Sequence, residues 1–359
     1  MKNMSYKINV TLSKTLKQKP APGQSLGFGK IFTDHMFIMD YSGEKGWYDP
    51  RIVPYGPLSI DPATMVFHYG QAIFEGLKAY RSDSGDILLF RPEKNIQRLN
   101  TSNERITIPH IDEEIALEAI RQLILLEKDW IPSEKGSSLY IRPFIIATDP
   151  ILGVHPSNTY KYMIILSPSG NYYPGGLAPV KIYVEDEYVR AVRGGTGYAK
   201  AAGNYAASLL AQKNAETKGF VQVLWLDGIE RKYIEEVGAM NVFFKINGEF
   251  VTPSLTGSIL PGITRMSVME MLNSLGMKVS EKRISVQELF DANEKGILEE
   301  AFGTGTAAVI SPIGELFWNG RSAVINNGKI GSVSQKLYDT LTGIQYGRIE
   351  DPFGWSVKL

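Results

Sequence analysis

The chain of 359 residues contains no cysteine. Disulfide bonds, thiolate nucleophiles and thiolate metal ligands are therefore excluded. Lysine plus arginine and aspartate plus glutamate both number 38, so the chain lacks the net charge that attracts nucleic acid or an anionic membrane. The four histidines are scattered without ligand spacing. We therefore expect neither a nucleic-acid partner nor a metal site.

Long hydrophobic runs are also missing. The most apolar stretches, such as YMIIL, are far too short to span a bilayer, and no membrane association is expected. The N-terminal segment MKNMSYKINVTLSKTLKQKPAPG has no apolar core of signal-peptide length, which predicts a cytoplasmic protein. Because that segment is basic and free of acidic residues, a transit peptide remains the alternative.

Hydrophobic residues make up 43% of the chain, enough to fill the cores of two globular domains at this length. The proline- and glycine-rich segment SPSGNYYPGGLAP at 167–179 is the best candidate boundary. We predict a smaller N-terminal domain at 1–174, a linker at 175–179 and a larger C-terminal domain at 180–359. Helical patterns alternate with hairpin signals such as Asn247-Gly248, which favours an α+β fold for both domains.

Helix signals are clear at two places. Asp112 is a plausible N-cap for an amphipathic helix over 112–130. Ser285 and Glu288 form a capping-box pattern at the start of a second helix. These signals predict where the two helices begin.

The first candidate for chemistry is Lys200, which stands in the stretch VRGGTGYAKAAGNYAAS among glycine, alanine and tyrosine. A desolvated lysine loses its proton readily, and its neutral amine forms a Schiff base with an aldehyde. The alternative is a loop lysine whose ammonium group lies in water, as most lysines do.

Two adjacent carboxylates, Glu235 and Glu236, stand at the entrance of the apolar strand pattern in EEVGAMNVFF. Successive side chains of a strand face opposite sides, so one of the two must point inward. A buried carboxylate needs a cationic or hydrogen-bonding partner, and a protonated pyridine nitrogen is one such partner. The alternative is a pair of solvated glutamates at the edge of a sheet.

Two segments are candidate anion sites. Pro261-Gly262 predicts a turn before a helix opened by Ile263-Thr264, whose free N–H groups suit a phosphate. The stretch Gly303-Thr304-Gly305-Thr306 predicts a glycine-rich turn that binds phosphate or carboxylate, or else an ordinary tight bend. An imine-forming lysine, a carboxylate and two anion sites are together what pyridoxal 5′-phosphate requires.

The segments that carry these residues resemble the branched-chain amino acid aminotransferases, class IV of the aminotransferases with fold type IV among pyridoxal-phosphate enzymes. The resemblance runs from about residue 28 to the C-terminus. It rests on the segments FEGLKAYR, FRPEKNIQRLN, SLYIRPFI, GGTGYAKAAGNYAASLLAQ, QVLWLDG, EEVGAMNVFF, LPGITR, FGTGTAAVISP and GIQYGRIEDPFGW.

For the cofactor, the resemblance implies that Lys200 is the Schiff-base lysine, that Glu236 pairs with the pyridine nitrogen and that Tyr205 hydrogen-bonds the phenolic oxygen. The cofactor is implied to lie between the two domains. The implied phosphate-binding residues are Arg98, Ile263, Thr264 and Thr306.

For the substrate, the resemblance implies a hydrophobic pocket, a carboxylate site and a loop lent by a neighbouring subunit, so that the chain is a homodimer. The pocket residues are Tyr69, Phe74 and Tyr172. The carboxylate site comprises Tyr140, Arg142 and the amides of Thr306 and Ala307. The lent loop contains Leu152 and Val154.

The implied reaction transfers the amino group between L-leucine, L-isoleucine or L-valine and 2-oxoglutarate in ping-pong order. Two alternatives stay open at this point. One is another fold-type IV enzyme, a D-amino acid aminotransferase or an aminodeoxychorismate lyase, which would share Lys200 and Glu236. The other is a non-catalytic protein that binds pyridoxal phosphate.

Overall fold

The computed structural model describes residues 7–21, 23–171 and 176–359. These residues form two compact units. Unit 1 contains residues 7–21, 23–171, 199–202 and 344–359, and unit 2 contains residues 176–198 and 203–343. In the described ranges, no helix has the length and apolar character needed to cross a membrane.

Unit 1 is built on a sheet that is antiparallel apart from one edge pair, β1 and β3. The strand order is β1-β3-β2-β8-β7-β5-β6, and β4 pairs with β7. Its elements up to residue 169 are β1 Asn9–Val10, β2 His35–Ser42, β3 Gly46–Pro54, α1 Met65–Tyr69, β4 Ala72–Phe74, β5 Leu77–Arg81, β6 Ile87–Phe90, α2 Pro92–Arg105, α3 Glu113–Leu126, a 3₁₀ turn Lys128–Trp130, β7 Ser138–Ala147 and β8 Thr159–Ser169.

The apolar faces of α2 and α3 fill the core of unit 1. Ile96 and Leu99 of α2 and Ile120 and Leu123 of α3 are fully buried in one cluster with residues of the sheet. Asp112 accepts hydrogen bonds from the N–H groups of Glu114 and Ile115, so the predicted N-cap is confirmed. This packing fixes the face of α2 that carries polar residues at the candidate site.

Unit 2 is built on a second mixed sheet, in the order β11-β10-β9-β16-β15-β12-β13-β14, with β17 paired to β16. The elements from residue 180 onward are β9 Val180–Glu185, α4 Ala202–Thr217, β10 Gln222–Leu226, β11 Ile234–Val237, β12 Asn241–Ile246, β13 Glu249–Pro253, α5 Ile263–Ser274, β14 Val279–Lys282, α6 Val286–Glu294, β15 Leu298–Gly305, β16 Val309–Trp318, β17 Arg321–Val324, a 3₁₀ turn Asn326–Gly328, α7 Ser332–Gln345 and, in unit 1, β18 Ser356–Lys358.

Two local predictions in unit 2 are confirmed. Asn247 and Gly248 both have positive φ and join β12 to β13 as a hairpin. Ser285 and Glu288 form the capping box of α6. With helices and two mixed sheets present, the predicted α+β class is confirmed.

The division into units differs from the predicted domains in two places. Residues 344–359 belong to unit 1, because β18 pairs with β6 there. Residues 199–202, including Lys200, also belong to unit 1, because Ala201 bridges to Ile73. The predicted linker at 175–179 lies partly outside the described residues.

Candidate active site

Lys200 is fixed in unit 1 by its main chain. Its N–H donates to the hydroxyl oxygen of Ser102 at 2.8 Å, and its carbonyl oxygen accepts from the N–H of Phe74 at 3.1 Å. The Nζ atom lies 4.7 Å from the centroid of the Phe74 ring, and the residue is half-buried. The amine therefore lies over an aromatic ring, not in open solvent as a loop lysine would.

Arg142 and Tyr140, two of the predicted carboxylate-binding residues, also lie near the Phe74 ring in unit 1. The guanidinium carbon of Arg142 lies 4.7 Å from the centroid of the Phe74 ring. Nη2 of Arg142 donates to the hydroxyl of Tyr140 at 3.2 Å, while its buried Nε has no hydrogen-bond partner in the described part of the chain. An unsatisfied buried donor beside an apolar ring suits an anionic group attached to an apolar side chain.

Tyr69 and the loop after β7 are in contact within unit 1. The hydroxyl of Tyr69 donates to the carbonyl oxygen of Leu152. The side chains of Leu152 and Val154 are 64% and 82% exposed. Tyr172, the remaining predicted pocket residue, lies outside the described residues.

Arg98 of α2 forms an ion pair with Glu75, a residue to which the sequence assigned no role. Nε and Nη2 of Arg98 donate to the two carboxylate oxygens at 2.8 and 2.9 Å, and both side chains are buried. Burial alone would raise the pKa of Glu75, but Arg98 and Lys200 hold that pKa below its ordinary value. The sequence did contain a signal for this pair. Glu75 stands within the largely apolar segment IFEGLKAY, and a carboxylate that is buried with such a segment needs a cationic or hydrogen-bonding partner.

In unit 2, Glu235 and Glu236 of β11 are both buried, with 5% and 3% of their surface exposed. The alternative of two solvated glutamates is therefore wrong, and burial extends to both side chains. Glu236 accepts a hydrogen bond from the N–H of Leu260 at 2.8 Å, and Nη2 of Arg190 lies 3.3 Å from the same oxygen. Arg190 is therefore the cation that accompanies this buried carboxylate.

Glu235 has a different environment. Its Oε1 accepts from the hydroxyl of Ser258, and its buried Oε2 has no hydrogen-bond partner among the described residues. Burial raises the pKa of Glu235 to about 7, although Ser258 and Arg190 act in the opposite direction. Adjacent carboxyl groups on one strand thus differ in the partners that they find.

The start of α5 matches the predicted anion site. Gly262 is the N-cap residue, no side chain caps the helix, and Ile263 and Thr264 are buried in its first turn. A Cβ atom on Gly262 would come within 2.0 Å of Oδ1 of Asn241, so the close approach requires glycine. Uncapped N–H groups at the positive end of a helix dipole fit the phosphate of pyridoxal 5′-phosphate.

The predicted glycine-rich turn at 303–306 is corrected by the structure. Gly303, Thr304 and Gly305 belong to β15, and the turn consists of residues 306–308. A Cβ on Gly303 would come within 2.9 Å of Met240, so this glycine permits close packing and not a bend. Thr306 and Ala307 are half-buried in the turn, and the buried hydroxyl of Thr304 lacks a hydrogen-bond partner in the described chain.

The predicted cofactor residues fall into two groups. Lys200 and Arg98 lie in unit 1. The members of the group in unit 2 are Glu236, Ile263, Thr264, Thr306 and Tyr205, the last half-buried in the first turn of α4. Within residues 7–21, 23–171 and 176–359, no group of three or more histidine, aspartate or glutamate side chains is arranged to hold a metal ion.

Comparison with known proteins adds a family match. The model of the family "Amino-transferase class IV" matches residues 72–316. Over 352 residues the chain is 64% identical to branched-chain-amino-acid aminotransferase 2 of Bacillus subtilis (strain 168), covering 98% of this chain and 97% of that protein.

Solved structures share the fold. The branched-chain amino acid aminotransferase of Escherichia coli superposes with a TM-score of 0.75 at 29% identity, over 90% of this chain and 98% of that one. A branched-chain amino acid aminotransferase from T.th., solved with pyridoxamine 5′-phosphate, gives a TM-score of 0.73 at 26% identity, over 89% of this chain and 97% of that one.

Proposed function

Since the chain belongs to the class IV aminotransferases and, among them, to the branched-chain-amino-acid aminotransferases, we propose that it transfers the amino group between L-leucine, L-isoleucine or L-valine and 2-oxoglutarate. The resemblance drawn from the sequence is confirmed, and the cofactor of the class is pyridoxal 5′-phosphate. Identity of 64% over 98% of the chain carries the proposal and does not favour the fold-type IV alternatives.

Lys200 is proposed to be the residue that holds the cofactor and moves the proton. Pyridoxal 5′-phosphate, when bound, supplies an aldehyde that takes up the amino group and a conjugated ring that accepts electron density from the substrate Cα. The Nζ of Lys200 is the group that would accept the proton from the substrate Cα as a general base and later give that proton back as a general acid. Hydrogen bonds hold the main chain of Lys200 at a position from which its Nζ lies 4.7 Å from the centroid of the Phe74 ring.

Glu236 is proposed to keep the pyridine nitrogen protonated. Its support is a buried carboxylate that the guanidinium of Arg190 accompanies and that is of the type that pairs with a protonated ring nitrogen. Tyr205 is proposed to donate to the phenolic oxygen of the cofactor. Both contacts make the ring a stronger acceptor of electron density.

The phosphate is proposed to bind at the start of α5 with Arg98 and Thr306. The support comes from the N-cap glycine and the absence of a side-chain cap at α5. A guanidinium group, and a hydroxyl in a tight turn, are further donors of the type that binds a phosphate dianion.

The substrate is proposed to place its apolar side chain against Tyr69, Phe74 and Tyr172, and its carboxylate near Arg142 and Tyr140 and the amides of Thr306 and Ala307. The unsatisfied Nε of Arg142 beside the Phe74 ring supports a carboxylate near an apolar pocket. L-Glutamate and 2-oxoglutarate share the α-carboxylate and would use the same group of donors.

A homodimer in the cytoplasm is part of the proposal. Its support is the exposure of Leu152 and Val154, which leaves apolar side chains for a second subunit to cover. If each loop completes the site of the other subunit, mixing inactive Lys200→Ala protein with inactive Leu152→Asp protein restores activity, because each mixed dimer has one intact site. No recovery, with mixed dimers present, would contradict the shared loop.

The two half-reactions test the function. The visible spectrum of the cofactor-loaded protein is recorded before and after L-leucine, and again after 2-oxoglutarate. The proposal predicts that L-leucine removes the visible band and that 2-oxoglutarate restores it. A band that L-leucine leaves unchanged, while D-leucine removes it, would overturn the substrate assignment.

A further inference from the structure

Glu75 lies at the centre of a polar cluster in unit 1. It is completely buried and accepts four hydrogen bonds. Oε1 accepts from Nε of Arg98 at 2.8 Å. Oε2 accepts from Nη2 of Arg98 at 2.9 Å, from Nδ2 of Asn95 at 2.7 Å and from the N–H of Gly76 at 3.2 Å. Both oxygens are therefore held in fixed directions by buried donors.

One face of α2 supplies the side-chain donors and also holds Lys200. Residues 95, 98 and 102 follow one another at helical spacings of three and four, so they share a face. Asn95 and Arg98 bind Glu75, and the hydroxyl of Ser102 accepts from the main-chain N–H of Lys200 at 2.8 Å. A second main-chain contact joins the segment of Glu75 to Lys200: the N–H of Phe74, the residue before Glu75, donates to the carbonyl oxygen of Lys200.

From this cluster we infer that Glu75 is a positioning residue of the transamination reaction. It orients the guanidinium of Arg98 toward the cofactor phosphate and supplies the negative charge that balances Arg98 and Lys200. The inference rests on the proposed roles of Arg98 and Lys200. Glu75 itself touches neither substrate nor cofactor in this account and acts through these two cations.

The charges around Glu75 fix the direction of its effect. Arg98 from α2 and Lys200 face it as cations, and both lower the pKa of Glu75 against the effect of burial. Tyr162 of β8 is the third titratable neighbour, and its pKa is raised by burial and by the charge of Glu75, so it stays neutral. Without the carboxylate, no negative charge would balance the positive charges of Arg98 and the half-buried Lys200, which would repel each other.

Glu75→Gln tests this charge role because it keeps the size of the side chain. The pH dependence of the visible absorbance of the cofactor-loaded protein is the readout, since the absorbance reports the protonation of the nitrogen contributed by Lys200. The midpoint is predicted to fall by about one pH unit or more in Glu75→Gln and to stay close to wild type in Glu75→Asp. Asn95→Ala is the matched control, because it removes a hydrogen bond from Glu75 without changing any charge.

A second measurement needs no cofactor. Cofactor-free wild-type and Glu75→Gln proteins are labelled with acetic anhydride at a series of pH values, and the peptide that contains Lys200 is quantified by mass spectrometry. Labelling of Lys200 is predicted to set in at lower pH in the variant. If Glu75→Gln folds normally and neither its absorbance nor its Lys200 labelling shifts along the pH axis relative to wild type, the inference is overturned.

If Glu75→Gln does not fold, Arg98→Leu tests the inference instead, because it is expected to shift the absorbance midpoint in the opposite direction. This variant leaves Glu75 to balance Lys200 alone, so the absorbance midpoint is predicted to rise, and a fall or no change would overturn the inference. The response of wild-type protein to L-leucine tests the proposed function separately. If wild-type protein responds to L-leucine as proposed but the absorbance midpoint does not shift in the variants, only the role of Glu75 is rejected, and the proposed function stands.

Discussion

Asn241 donates a hydrogen bond from its side-chain nitrogen to the carbonyl oxygen of Leu260, 2.9 Å away. The N–H of the same residue, Leu260, donates to Glu236 at 2.8 Å. Leu260 precedes the N-cap residue of α5 by two positions. The carboxylate proposed for the ring nitrogen and the helix start proposed for the phosphate are therefore connected through one residue.

Gly262→Ala is predicted to weaken cofactor binding about 10-fold or more, because the new methyl group would displace Asn241 and the start of α5. The dissociation constant is measured by titrating cofactor-free protein with pyridoxal 5′-phosphate. Gly203→Ala is the matched control in α4, since nothing lies within 4 Å of its Cβ position. Equal affinity in Gly262→Ala and wild type would exclude this helix start from the phosphate site.

Glu236→Gln is predicted to retain the cofactor but to lower kcat by about 100-fold or more. Glutamine still accepts the hydrogen bond from Leu260, yet it no longer keeps a ring nitrogen protonated. Steady-state kinetics with L-leucine and 2-oxoglutarate at saturating cofactor give the comparison. Turnover close to wild type would rule out the proposed role of Glu236.

Arg98→Lys is predicted to raise the cofactor dissociation constant more than it lowers kcat at saturating cofactor. Lysine keeps the charge but cannot reproduce the paired donation of Nε and Nη2 to Glu75, so the cation is less well oriented. Cofactor titration and saturated kcat are measured on the same preparations. An unchanged dissociation constant would remove Arg98 from the phosphate site.

Glu235 makes the stability of unit 2 depend on pH. Its pKa is raised from 4.5 to about 7, mainly by burial, with Glu236 and Asp227 acting in the same direction. Between these values the folded protein binds more protons at this site than the unfolded chain, so the free energy of unfolding falls as pH rises. The complete shift corresponds to roughly 3 kcal/mol in the free energy of unfolding.

Glu235→Gln is therefore predicted to flatten the decline in stability between about pH 4.5 and 7. Urea unfolding of the cofactor-free protein at several pH values measures the slope. Glu294→Gln, at an exposed position of α6, is the control and keeps the wild-type slope. If the free energy of unfolding of Glu235→Gln falls with pH as steeply as that of wild type, Glu235 does not cause the pH dependence.

Local features of the fold were predictable because neighbouring residues determine them. The N-cap at Asp112, the capping box at Ser285 and the hairpin at Asn247-Gly248 each depend on side chains within a few positions. The start of α5 at Ile263 followed from the turn before it in the same way. Such signals fix where elements begin and end.

The contacts that assemble the candidate site were not predictable from local pattern. Arg98 meets Glu75 23 positions away, Ser258 meets Glu235 across the same interval, and Ser102 meets Lys200 98 positions away. Only the folding of each unit, with its own sheet and helices, brings these pairs together. The turn predicted at Gly303 was wrong for a related reason. A glycine occurs both in turns and where side chains pack closely, and the closeness of Met240, which requires glycine here, is visible only in the folded chain.

The most direct test of the account is the identity of the lysine that holds the cofactor. Cofactor-loaded protein is reduced with borohydride, digested and analysed by mass spectrometry, with Lys200→Ala protein treated in parallel. We predict that the reduced phosphopyridoxyl group is found on the peptide that contains Lys200 and on no peptide of the variant. The group on a different lysine, or no covalent adduct in a protein that shows the visible band, would contradict the account.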